Sequence, residues 1–328
     1  SAEREADFLV KLLRDEQLAA AESWSRVQSC LLILRYSLAA KLIYFAQTIE
    51  PHIVAPYASR FDDIMRETYL KIVDIDSVRD DQAVQLSLPL RHGGCGLRNH
   101  TIAELHRLFV SSAMLVAPAV HAATGYSIEP VPMGTHDDDD TFSPFEYSLQ
   151  SSIENLSAEG ISPPNFGVAG PIPAKKWASG ASEKLYKKTK IALLESLENL
   201  PEDECKYSKA RILSCGGTGA QWLAQAPTCH LTQLSDDDMG SVIRLRLGKE
   251  TFCADICPHI NADGVPCGRQ CDREGRHLLS CPSGGGFFLG HDNVCATYCE
   301  LAAGADGIPG AQAAWKPRVD AWPRSTRG

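Results

Sequence analysis

Residues 253–281, CADICPHINADGVPCGRQCDREGRHLLSC, constrain this chain more than any other stretch. Five cysteines and two histidines crowd into a segment with few large apolar side chains, so it must fold around something other than a hydrophobic core. Thiolates and imidazoles are the donors that four-coordinate zinc takes, converging tetrahedrally from a turn and a helix start. Gly264, Gly268 and Gly275 supply tight turns. His277 and Cys281, four apart, lie on one face of a single helical turn. Their partners are then Cys267 and Cys271, or Cys257 and Cys267. With all four positions filled no site stays open for water, so the expected metal is a structural Zn2+. Its binding would contribute about 10 kcal/mol to folding. The alternative is a coincidental cluster of buried free thiols.

The remaining cysteine usage agrees with metal. Of 12 cysteines, six (Cys253, Cys257, Cys267, Cys271, Cys281, Cys295) lie between residues 253 and 295 instead of spreading as pairs. The N-terminus SAEREADFLVKLL lacks a basic start, an apolar stretch and a small-residue cleavage site, so it is no signal peptide. Clustered Cys and His without a secretory signal point to metal in an intracellular, nuclear or cytoplasmic protein. A first residue other than Met suggests a piece of a longer chain. No uncharged apolar run approaches the roughly 20 residues of a membrane span. Cys30–Gln47 is interrupted by Arg35 and Lys41 and reads as a buried helix.

Elsewhere the pattern is mainly α. Helical spacing of apolar residues predicts helices over 1–20, 24–49, 58–75 and 101–116, the second and fourth ending before Pro51 and Pro118. Eight prolines and the run Asp137–Asp140 make 118–178 read as a partly disordered linker. A basic helix with Lys184, Lys187, Lys188 and Lys190 follows, then a helical pair around 208–226 and 236–247. Ser235 is the expected N-cap of the last, with Asp237 and Asp238 in its first turn. The expected organisation is a helical region over 1–117, the linker over 118–178, a basic helical region over 179–250, a zinc knuckle over 251–290 and a final segment over 291–328.

A net charge of −9 argues against a dedicated nucleic-acid binder, but the charge is uneven. Residues 1–170 carry 13 basic against 23 acidic side chains, and residues 171–328 carry 19 against 18. Any polyanion contact is therefore expected in the second half. Phe61-Asp62-Asp63 invites comparison with the paired aspartates that hold magnesium in polymerases. Those lie in a hairpin between apolar strands, whereas this pair sits in a helical pattern and reads as a solvated helix face. LPLRHGGCGL (88–97) reads as an extended piece, a glycine turn and a helix start. His291-Asp292-Asn293 follows a glycine run and reads, by itself, as a helix cap. No nucleophile elbow, phosphate loop or dinucleotide fingerprint occurs.

Four stretches, in order, carry a resemblance. CLLILRYSLAAKLIYFAQTIEP (30–51), QLSLPLRHGGCGLRNHTIAEL (85–105), GAQWLAQAP with LSDDDMGSVIRLRLG (219–248) and CG…CDREGRHLLSCPSGGG…HDNV (267–294) resemble the C-terminal portion of non-LTR retrotransposon reverse transcriptase polyproteins. They correspond to the thumb-like helix after the polymerase palm, the LP…GG.GL segment, the RLG-type helix and the Cys/His knuckle that precedes a restriction-like endonuclease. The resemblance implies Cys257, Cys267, His277 and Cys281 as ligands, with Cys271 as an extra thiol and alternate ligand. His291 and Asn293 match the nuclease's RHN-like start, although Gly290 stands where the arginine should be. Asp320 is a weak candidate for a nuclease carboxylate.

The resemblance further implies that this stretch lacks the polymerase palm and carries a truncated nuclease, so that it acts without catalysis. It would position template RNA or target DNA for the rest of the polyprotein. Lys184, Lys187, Lys188, Arg269, Arg273 and Arg276 are the candidate phosphate contacts, which position a nucleic acid without reading its sequence. Two other readings stand beside this one. One is a zinc-stabilised helical protein-interaction module; the other is a Mg2+-dependent DNA endonuclease.

Overall fold

The structure, a computed structural model, describes residues 2–13, 25–130, 143–168, 170–228, 232–251, 256–261, 263–272, and residues 277, 281 and 283. It is mainly helical, and no strand occurs among the described residues. The chain divides into two units, Ser1–Gly248 and Lys249–Gly328. The boundaries expected at 117 and 178 thus fall inside the first unit.

Helix α1 (Ala2–Leu13) places Glu3 and Glu5 in its first turn and buries Ala6 and Leu9. Helix α2 (Arg26–Ile33) is capped by Ser25, whose hydroxyl accepts from the Gln28 amide. A π turn at Leu34–Leu38 then carries the chain into α3 (Lys41–Thr48). Its extra residue shows in the Ala39 N–H, which reaches back to the Leu34 carbonyl at 3.0 Å. Leu34, Arg35 and Leu38 are all buried there.

Helix α4 (Pro51–Ile72) begins at the proline itself, not at residue 58 as the periodicity suggested. Proline in the first turn gives up an N–H that has no helical partner anyway, so Pro51 both ends one helix and opens the next. Helix α5 (Asp80–Ser87) leads into a 3-10 turn at Leu90–His92 instead of an extended piece. Helix α6 (Ile102–Thr124), capped by Thr101, passes through Pro118 and stops at Gly125, whose φ of 73° is left-handed.

The segment expected to be a linker holds two helices. Helix α7 (Pro144–Ala158) is closed by a capping box between Ser143 and Glu146, and α8 (Pro171–Ser196) again starts at a proline. Phe109, Val110 and Ala113 of α6 pack with Leu149, Ile153 and Leu156 of α7 and Ala181 of α8. This core offsets the ordering entropy of the proline-rich segment. The run Asp137–Asp140 lies outside the described residues. Helix α9 (Glu202–Ser214), a 3-10 turn at Thr218–Ala224 and α10 (Asp236–Leu247) complete the unit.

Ser235 caps α10 by accepting from the Asp238 amide, and Asp236 does double duty. Its carboxylate accepts from the Val27 amide and from Arg26 Nε, both at 2.9 Å, so it also caps α2. Leu9, Leu31, Leu34, Met65, Tyr69, Met239 and Ile243 form the main core. The stretches Arg26–Thr48 and Ile102–Thr124 are long and apolar enough to cross a bilayer by length and composition. About half of each such window, 50% and 44%, is buried against the rest of the unit.

The LPLRHGGCGL segment folds back over the end of α5. The Cys95, Leu97 and Gly96 amides donate to the carbonyls of Gln85, Leu86 and Leu88, adding to the Leu88 amide that Gln85 also accepts and satisfying acceptors that a helix end leaves open. Gly94 is required, because a Cβ there would overlap the Leu88 carbonyl oxygen. From α10, Arg246 donates to the Gly94 oxygen from Nε and Nη2, at 3.0 and 2.7 Å, and to the Cys215 oxygen at 2.8 Å. Gln85 joins both partners through the Gly93 and Arg246 carbonyls, each at 3.0 Å. The glycine turn and the RLRLG helix are thus one hydrogen-bonded assembly.

Asp62 is not the solvated residue its pattern suggests. Its side chain is 13% exposed and accepts from the His100 amide at 2.6 Å and from His100 Nδ1 at 2.7 Å. Asp63 does face solvent and pairs with Arg66 at 2.7 Å.

Candidate metal centre

Residues 256–270 form a short hairpin. Ile256 bridges Gln270 and Ile260 bridges Pro266, with Cys257 N–H on the Arg269 carbonyl and Cys267 N–H on the His259 carbonyl, both at 2.8 Å. The turn is built by Asn261, whose side-chain oxygen accepts from the Asp263 and Val265 amides at 3.1 and 2.8 Å. Such Asx turns tighten a backbone that has no core beneath it. Gly268, at φ 65°, lets the chain turn sharply right after Cys267.

The hairpin sets Cys257 and Cys267 on its opposing arms. His277 is fixed through its amide, which donates to the Asp272 carboxylate at 2.8 Å. The sulfurs of Cys257, Cys267 and Cys281 and a ring nitrogen of His277 all lie within 4.8 Å of one another. The Cys257 and Cys281 sulfurs are 3.6 Å apart, and Cys267 Sγ is 3.3 Å from His277 Nε2. The Cys257–Cys281 pair is not a disulfide, since bonded sulfurs would stand at about 2.05 Å. Ligands about 2.3 Å from a tetrahedral zinc stand roughly 3.7 Å apart. The quartet fits that size, and its donor set of three thiols and an imidazole could hold a metal ion such as zinc.

Burial pushes the Cys257 thiol up, to about 11. Burial also raises Cys281, but hydrogen bonds from His259, the Ser283 amide and the other two thiols outweigh it and lower this thiol to about 6. In the close pair Cys257 is the thiol that donates, and the Cys281 sulfur accepts. A metal would displace that shared proton.

Cys271 is buried and packs beside Cys257, Cys267 and Cys281, but it stands outside the converging quartet. His259 was seen in sequence only as one of the crowd. Its ring reaches Cys281, and its Nδ1 is buried without a partner. Cys253, His291, Asn293 and Asp320 lie outside the described residues, as do Arg273 and Arg276. Arg269 is exposed. The candidate lysines sit on α8, but each is engaged within the fold: Lys184 with the Gly160 carbonyl at 3.4 Å, Lys187 with Glu183 at 3.5 Å, and Lys188 with Glu159. In comparisons with family models, curated proteins and solved structures, nothing matches the chain.

Proposed function

We propose that this chain is the post-polymerase portion of a retroelement polyprotein, stabilised by a structural zinc knuckle, and that it positions template RNA or target DNA. The observation that carries the reading is a coincidence of two independent selections. The four ligands implied by the resemblance are, among the described cysteines and histidines of the knuckle, the four whose donor atoms converge. The joining of LPLRHGGCGL to RLRLG through Arg246 adds support, since the resemblance treats these as two separate stretches of one family.

Zinc, when bound, supplies a fourfold crosslink and no reactive water, because the protein fills all four positions. Cys257, Cys267, His277 and Cys281 would hold it. The exposed Arg269 on the hairpin arm remains a candidate for a phosphate. Binding to structured RNA or duplex DNA, measured against salt, tests the reading: phosphate contacts make affinity fall steeply as salt rises. Binding that is absent at low salt sinks it.

A second reading, a zinc-stabilised protein-interaction module, is favoured by the engaged lysines of α8 and by an apolar groove. That groove, of about 560 Å³, is lined by Leu42, Ile49, Val54 and the exposed Phe45, Ile53 and Tyr57. Salt-insensitive capture of a protein partner, with no nucleic-acid binding, would select this reading.

A further inference from the structure

We infer that His259 is a positioning residue of the metal centre: its main chain spaces Cys257 and Cys267, and its ring donates from Nδ1 to the Cys281 sulfur when that sulfur is a metal-bound thiolate. The inference rests on the zinc-knuckle reading above and deepens it, since His259 is not among the four converging donors.

The hairpin register brings His259 to its place. The Ile256–Gln270 and Ile260–Pro266 bridges set His259 directly across from Cys267, whose amide donates to the His259 carbonyl at 2.8 Å. Side chains two apart on an extended arm share a face, and so do side chains directly opposite across antiparallel arms. Cys257, His259 and Cys267 therefore stand on one face of the hairpin. Ile256, Pro258 and Ile260 belong to the other face and are exposed. The His259 amide in turn donates to the Cys257 sulfur. One residue thus holds two of the ligands through its main chain and meets a third, Cys281, with its ring.

The ring supplies an independent observation. His259 Nδ1 is buried and has no hydrogen-bond partner. A buried ring N–H without an acceptor keeps its full desolvation cost. The sulfur that the ring meets, Cys281 Sγ, accepts the Cys257 thiol at 3.6 Å. Ligation removes thiol protons. The Cys281 thiolate then keeps lone pairs beside its metal bond, and an anionic acceptor forms a stronger hydrogen bond than a neutral one. With its proton on Nδ1, the imidazole is the donor placed to fill that role. Outer partners of this kind fix a ligand's orientation and tune the metal, and losing one costs about 10–100-fold in metal affinity.

The test uses the full chain, titrated with Co2+ as an optical stand-in and with Zn2+ against a chelating dye. His259→Phe keeps an aromatic ring and loses the donor, whereas His259→Asn returns an N–H at the place of Nδ1. About one tetrahedral Co2+ per chain is expected in the wild type and both variants. In His259→Phe the sulfur-to-cobalt charge-transfer band keeps its intensity and moves to longer wavelength, because a thiolate relieved of its hydrogen bond gives up charge more readily. Zn2+ affinity falls about tenfold in His259→Phe, and His259→Asn restores both band position and affinity. A merely structural role would not move the band at constant intensity. If His259→Phe does not hold the ion, His259→Asn against His259→Ala decides by the same two readings. Band and affinity equal to wild type in His259→Phe overturn the inference and leave the knuckle standing. Loss of the tetrahedral spectrum in every His259 variant, Asn included, overturns it too, by making His259 a ligand or a residue the fold requires. A wild-type chain that takes up neither ion overturns the knuckle itself, and the role of His259 with it.

Discussion

The Gly170 N–H donates to the Met114 carbonyl across 2.9 Å, and that bond lets α6 run on past Pro118. Proline at 118 has no N–H to give the carbonyl four residues back, so the helix carries an unmatched acceptor. The start of α8 fills it from outside. Gly170 holds φ 136° and ψ −178° to do so, a conformation essentially confined to glycine. Gly170→Ala should therefore cost about 1–3 kcal/mol of stability by urea denaturation. A change indistinguishable from zero would show that this backbone relaxes freely.

Asp62→Ala removes the shared acceptor of the His100 amide and ring Nδ1 and strands both donors on a residue whose side chain is 1% exposed. The expected loss is about 2–4 kcal/mol, since stranded buried donors keep their full desolvation cost. Asp63→Ala, one residue on and exposed, should change stability by less than about 0.5 kcal/mol. Equal effects of the two would contradict the buried role of Asp62.

Arg246→Lys keeps the charge on α10 but loses the fork that reaches Gly94, Leu90 and Cys215 together. A loss of about 2–4 kcal/mol is expected, with the glycine turn exchanging amide protons faster than α5. Unchanged exchange in residues 88–97 would break the link between the two stretches.

Metal analysis of the purified chain should find about one zinc, retained in Cys271→Ser and lost in Cys281→Ser. Loss in Cys271→Ser with retention in Cys281→Ser would replace the quartet by another set.

His106, on α6, bonds Ser152 of α7 through Nδ1 at 3.0 Å, and burial, helped by the nearby His52, lowers its pKa below the usual 6.5. A group whose folded value is depressed binds its proton more readily in the unfolded chain. Its contribution is thus complete above pH 6.5 and is lost as the pH falls below that value. His106→Gln should flatten the stability profile on that acid side; a profile of unchanged slope would assign the effect to other groups.

What was legible in the sequence was local. Ser235 followed by three aspartates announces a helix start, and the α10 boundaries follow from it. The spacing of His277 and Cys281 and the glycines about Cys267 mark the quartet's neighbourhood, though only the resemblance separated Cys257 from Cys271. What failed was everything decided by a distant partner. Pro118 reads as a stop until Gly170 comes alongside, Asp62 reads as solvated until His100 arrives, and the segment 144–178 reads as linker until Phe109 and Val110 offer it a surface. Arg35 reads as a break in an apolar run, and its burial depends on a π turn that no spacing rule foretells.

The hairpin of residues 256–270 has a bearing on how a metal would be captured. Backbone bonds across its arms set the separation of two sulfurs ahead of any ion, so the first two coordination bonds need little further ordering of the chain. The Asp272 carboxylate holds the His277 amide at 2.8 Å, so a third donor is anchored as well. A chelator that strips the ion would leave this two-sulfur frame standing, so reloading would not have to rebuild it.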